Sequence, residues 1–304
     1  MILPCQGRLY AALLMLPWLL GGCQLQPPAA HDHTSSRLSV PFFAQQEYQC
    51  GPAALASVLH AADAPVSPDE LVTEVWLPER RGSLAMELAA AARARGRLVY
   101  PVNNETQLLE ELDAGHPVLI RQNLLFDWWP QWHFAVVTGY AAHGEEFFLH
   151  SGTHRDMRVD RNWFVRRWHK ADNEGFVVLT QGTLPARSDA TTLLQAIEDV
   201  RRSSKSPALS YWQAAVARYP NNALMHFAHG NALYQAGNKH AARDAFAGAV
   251  ALQPGLHAGW NNLASVLLEL GLHEEATDAI TRALELAPTN ALYLETRDDI
   301  LSAP

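Results

Sequence analysis

Gln45-Gln46-Glu47-Tyr48-Gln49-Cys50-Gly51-Pro52-Ala53-Ala54-Leu55-Ala56-Ser57-Val58-Leu59-His60 joins a polar loop to a helix through a cysteine. Ala54, Leu55, Val58 and Leu59 fall at i, i+1, i+4 and i+5, the apolar face of one helix. Pro52 suits the first turn, where the amide it lacks has no intrahelical partner. Cys50 therefore stands at a helix N-terminus, where free N–H groups and the positive dipole end favour a thiolate. The expectation is a thiol pKa below the free value of about 8.5 and a nucleophilic sulfur. The competing reading is a cysteine packed as a small hydrophobe.

Upstream, the chain reads as an export leader. Arg8 precedes an apolar run from Leu9 to Leu20, too short for a transmembrane span and suited to a signal h-region. Leu20-Gly21-Gly22-Cys23 resembles a bacterial lipobox, which implies a signal peptide over residues 1–22 and a lipidated Cys23 as the new N-terminus. Gln24, in place of an aspartate, implies by the same resemblance an outer-membrane lipoprotein facing the periplasm. Residues 23–37 lack apolar periodicity and read as a flexible tether, with His31 and His33 as solvated linker residues. Of the three cysteines, Cys5 falls in the leader, so Cys50 is left without an intramolecular disulfide partner. A net charge of -8 over 304 residues, with no basic stripe, excludes a nucleic-acid partner.

Downstream, two compositions follow one another. Residues 38–184 read as an α+β domain. Ser67-Pro68-Asp69-Glu70 is a capping box with proline at N1. Gly82-Ser83 opens a helix from Leu84 to Arg95, stopped by Gly96, and Asn104 with Gln107 caps another that ends at Gly115. Strand-type runs come at Leu98–Val102, Val118–Ile120, Phe134–Val137, Phe147–Leu149 and Phe176–Leu179. Past the polar stretch 181–190, residues 189–304 are rich in alanine and leucine with a 34-residue period. Gly230, Gly237, Ala242, Phe246, Ala249 and Pro254 recur as Ala264, Gly271, Ala276, Ile280, Ala283 and Pro288, and a weaker copy holds Ala208, Trp212 and Ala215. The pattern resembles the tetratricopeptide repeat, an all-α solenoid that implies a protein partner. The composition shift after Leu184-Pro185 implies that the first domain folds without the repeats.

A thiolate nucleophile needs a base, an orienter for it, and donors for an oxyanion. His133 opens His133-Phe134-Ala135-Val136-Val137-Thr138-Gly139-Tyr140, a histidine at the mouth of a buried strand. Gln45, the Cys50-Gly51-Pro52-Ala53-Ala54-Leu55 run and the His133 run together resemble the C39 peptidases, papain-like cysteine peptidases known for removing double-glycine leaders. The likeness spans residues 40–180. It implies Cys50 as nucleophile, His133 as base, and Gln45 with the Cys50 N–H as oxyanion hole; Gln46 and Gln49 compete with Gln45. The family's aspartate at the end of the next strand is missing. His150 takes that slot here, with Ser151 beside it, and Asp156 and Asp160 are nearby substitutes.

Trp128, Trp129 and Trp132 either wall a substrate cleft or plug a loop, while Trp163 and Trp168 read as core. No HExxH, CxxC or phosphate-cradling glycine loop occurs, so no cofactor and no metal are implied. The combined expectation is a membrane-anchored lipoprotein that hydrolyses a peptide or protein substrate through an acyl-thioester on Cys50. The alternatives are a binding-only pseudo-peptidase and a Cys–His acyl or amide transferase.

Overall fold

The computed structural model describes residues 35–45, 49–80 and 82–303. The leader, Cys23, most of the tether and Gln46 lie outside the described residues. Among those described, no helix is long and apolar enough to cross a membrane.

A short strand β1 (Ser36–Arg37) leads to helices α1 (Cys50–Ala61), α2 (Pro68–Val75) and α3 (Ala85–Ala94). Then follow β2 (Leu98–Pro101), α4 (Glu105–Asp113), β3 (Val118–Asn123), β4 (Trp132–Ala141), β5 (Glu146–Ser151), β6 (His154–Asp160), α5 (Arg161–His169) and β7 (Gly175–Leu179). The local signals act as the chemistry requires. Ser67 accepts from Glu70 N while Glu70 reaches back to the Ser67 N–H, which closes the capping box of α2. Asn104 accepts from Gln107 N to start α4.

All described strands join one antiparallel sheet in the order β2-β7-β3-β4-β5-β6, with β1 on β4. Strand alternation divides its side chains between two cores. Val99, Leu119, Phe134, Val136, Phe176 and Val178 pack against α1, α2 and α3. Val118, Ile120, Ala135, Val137, Val177 and Leu179 face the other way, with Phe164 and Trp168 of α5. Gly139 lets β1 cross β4, because a Cβ there would lie 2.3 Å from the Ser36 carbonyl oxygen.

The rest is helical: α6 (Ala190–Ser204), α7 (Leu209–Arg218), α8 (Ala223–Gln235), α9 (Lys239–Leu252), α10 (His257–Glu269), α11 (His273–Leu286) and α12 (Ala291–Ser302). The repeated positions Ala242, Phe246, Ala249, Ala264, Ala276, Ile280 and Ala283 are buried between helices, where small residues allow close approach. The fold is thus an α+β sheet domain followed by an all-α solenoid.

Packing does not break where composition shifts. Leu193, Ile197, Tyr211, Trp212 and Met225 belong to the same core as Leu98, Tyr100 and Leu179. The buried Tyr211 hydroxyl accepts from Leu98 N at 3.0 Å and lies 3.1 Å from Gly96 O and 3.2 Å from Leu179 O. Asp189, the N-cap of α6, receives the Tyr100 hydroxyl. The first helices after Leu184 therefore cover one face of the sheet, so a fragment ending at that point would expose Leu98, Tyr100 and Leu179. A sheet needs both faces covered wherever both carry large apolar side chains.

Candidate active site

Cys50 is the first residue of α1, after Gln49 as N-cap. Gly51 is buried directly beneath Ser83, whose Oγ would meet a Cβ at 2.6 Å. That close approach folds the 82–86 segment over the first turn of α1 and forms one wall of a cleft of about 980 Å³. Cys50, Gln45, His133 and Phe134 line it, with Ser83, Ala85 and Met86 on the α3 side and Arg121, Pro130 and Trp132 on the hairpin side.

His133 and Cys50 both line this cleft, at the edge of β4 that β5 leaves open. Arg121, opposite Phe134 in the register of β3 and β4, sends its N–H to Glu174 O beside β7. In an antiparallel pair Phe134 therefore turns its own N–H and C=O away from β3. On that free edge the Phe134 N–H points at the Cys50 sulfur, and the Phe134 oxygen accepts from Gln45 Nε2 at 3.5 Å. Gln45 is fixed further by its N–H on Gly152 O at 3.2 Å. Gln45 lies in the cleft beside the sulfur; Gln49 caps the helix and lines none of it.

His133 Nε2 is hydrogen-bonded to Ser151 Oγ at 2.9 Å. With Nε2–H donating to Ser151, Nδ1 is the nitrogen that carries the lone pair. The partner is Ser151 and not His150, which corrects the expectation for the third position. His150 pairs with Val136 and shares its face, the one toward α1. There its Nε2–H donates to Val40 O at 3.0 Å, its Nδ1 accepts from Asp156 N at 3.2 Å, and its ring meets Phe42 edge-on at 5.2 Å. Alternation turns the next residue, Ser151, to the face that carries His133. Neither acidic substitute reaches the base: Asp156 pairs with Arg37 at 3.3 Å, and Asp160 caps α5. The sequence carries no signal for Ser151, because the pairing of β4 with β5 that sets its face is decided by the fold.

The electrostatics also depart from the sequence reading. Burial pushes the Cys50 thiol above its ordinary value, although backbone N–H groups of Phe134, Gly51 and Cys50 itself pull the other way. Burial lowers the His133 imidazole to about 4, with no carboxylate to offset it. The helix terminus supplies partial charges only, and desolvation outweighs them. At neutral pH the cleft therefore holds a thiol and a neutral imidazole, not a preformed thiolate and imidazolium.

Trp132 stacks with the Arg121 guanidinium 4.3 Å from its ring centroid and walls the cleft; Trp128 and Trp129 stand exposed beyond it. Trp168 is core, its Nε1 on Glu174 O, and Trp163 is half-buried under Arg167.

Residues 37–176 match the model of the Peptidase_C39 like family. The chain carries a C39-like domain. Residues 193–257 and 227–291 match the tetratricopeptide repeat, so C-terminal repeats follow the C39-like domain. Among solved structures, the first TPR domain of the human RPAP3 protein is similar at 20% identity, covering 38% of this chain and 91% of that one, with a TM-score of 0.35. The Arabidopsis OM64 TPR domain is similar at 14% identity, covering 36% and 93%, also with a TM-score of 0.35. No curated protein matches the chain. The site residues Cys50, His133 and Ser151 all fall within the C39-like domain, and Gln45 stands in its cleft.

Proposed function

We propose that the chain is a cysteine peptidase. The observation that carries this is the placing of Cys50 and His133 in one cleft, with His133 Nε2 held by Ser151 so that Nδ1 is left for the sulfur. Because the resting pair is neutral, the proton moves as substrate arrives. His133 Nδ1 takes the thiol proton while the sulfur attacks the peptide carbonyl. The tetrahedral oxyanion takes N–H donors from the Cys50 backbone and from Gln45 Nε2, which releases its long contact with Phe134 O. The imidazolium then gives its proton to the leaving amine, and the C–N bond breaks to leave an acyl-thioester on Cys50. Water, deprotonated by the neutral His133, releases the acid and restores the thiol.

The same reading gives the chain a lipid on Cys23, a place on the periplasmic face of the outer membrane, and repeats that bind a protein or peptide partner. The binding-only alternative draws on one observation, the uncharged orienter Ser151. An electrophilic thiol probe at neutral pH, followed by mass spectrometry of peptides that accumulate in a Cys50→Ala strain, separates the two. Labelling at Cys50 with no accumulating peptide would leave a binding domain.

A further inference from the structure

The hairpin of β3 and β4 outruns the strands beside it. β7 pairs with β3 only from Val118 to Ile120, and β5 reaches β4 only from Val136 onward. The projecting end displays Leu125, Phe126, Trp128, Trp129 and Trp132, which are between 41% and 78% exposed. Phe126 and Trp128 stack at 5.5 Å, and Trp129 meets Trp128 edge-on at 6.4 Å. Contiguous exposed apolar side chains mark an interaction surface.

We propose that this tip docks the domain onto a phospholipid bilayer, with its rings in the headgroup layer. Several features fit a bilayer better than a polypeptide. The tip projects, whereas sites that hold peptide side chains are concave. Part of its backbone is satisfied from within, which lowers the cost of entering an apolar medium. Leu124 N donates to Gln131 O at 2.9 Å and Trp129 N to Phe126 O at 3.2 Å. The buried Asn123 side chain accepts from Leu125 N at 3.1 Å and Gln131 N at 3.0 Å, and donates to Phe126 O at 3.3 Å. The tip's one acid, Asp127, is paired with Lys170 at 3.4 Å, and Lys170 also donates to Leu125 O at 3.1 Å.

Charge complements this surface. Arg166, Arg167 and His169 lie in the last turn of α5, directly before Lys170, and suit anionic headgroups behind an aromatic edge. The docking proposal depends neither on the peptidase reading nor on a lipid at Cys23.

The test uses residues 35–304, since among the described residues every buried core residue lies at Val40 or beyond. Sedimentation with vesicles of phosphatidylethanolamine and phosphatidylglycerol should carry this protein down, and brominated lipid should quench its tryptophan fluorescence. Trp128→Ser with Trp129→Ser should lower vesicle partitioning by more than about tenfold, because two large rings lose their burial. Both side chains lie outside the cleft lining, so Cys50 alkylation should stay unchanged and certify the fold. A wild-type protein left in the supernatant, or a double variant that sediments equally well, overturns the proposal. Weaker binding of labelled casein by the double variant, with vesicles ignored by both proteins, overturns it in favour of a substrate-holding patch.

Discussion

Replacing Ser151 with aspartate puts a carboxylate where His133 now has only a hydroxyl. The imidazole is lowered from about 6.5 to about 4 by burial, a penalty of roughly 3 kcal/mol on its charged form at 1.36 kcal/mol per pKa unit. An ionised carboxylate beside Nε2, in place of an oxygen now 2.9 Å away, should raise the imidazole by about 1–3 units, which offsets from about two fifths to all of that penalty. His133 should then titrate between about 5 and 7. At pH 6 the imidazolium fraction should rise from about 1% to tens of per cent.

The assay is an NMR titration of the His133 ring, assigned by its loss in His133→Gln. A midpoint within half a unit of about 4 in Ser151→Asp would refute the placement of residue 151 beside Nε2. The same shift fixes a stability trend. The folded His133 binds fewer protons than the unfolded chain between about pH 6.5 and 4, so stability should fall as pH drops through that window and level off below it. Ser151→Asp should narrow the window and shrink the loss, which urea melts at pH 7 and pH 4.5 will read.

Other outcomes follow from the packing and the pair. Cys50→Ala should abolish hydrolysis, and His133→Ala should lower it by a comparable several orders of magnitude because the two act as a unit, read by product chromatography on unfolded protein. The alkylation midpoint of Cys50 should lie above that of a free cysteine, where a helix N-terminus alone would put it lower, and a pH series of iodoacetamide rates checks it. Tyr211→Phe should cost about 1–3 kcal/mol by leaving the buried Leu98 N–H unpaired. It should also destabilise the C39-like domain and the first repeat helices in one shared denaturation step. Gly139→Ala should cost about 1–3 kcal/mol or more, because its Cβ meets the Ser36 carbonyl and loosens β1, visible as a lower Tm.

The sequence by itself determined the elements whose causes are local. Ser67, Pro68 and Glu70 set the start of α2, the apolar face from Ala54 to Leu59 set α1, and the 34-residue period set the solenoid, because caps, faces and repeats act within one or two turns of chain. It also singled out Cys50, His133 and Gln45, which the structure places in one cleft. Tertiary structure decided what depends on which face a residue takes and how much water surrounds it. His150 and Ser151 are neighbours in sequence, yet alternation sends one to the α1 face and the other to His133. The charge state of the pair could not be read from a helix N-terminus, since burial comes from the 82–86 segment, the hairpin and the sheet edge closing around it. Nor did the composition shift at Leu184 reveal that Tyr211, far along the chain, completes the core under β2 and β7: long-range hydrogen bonds and shared apolar faces leave no mark in local pattern.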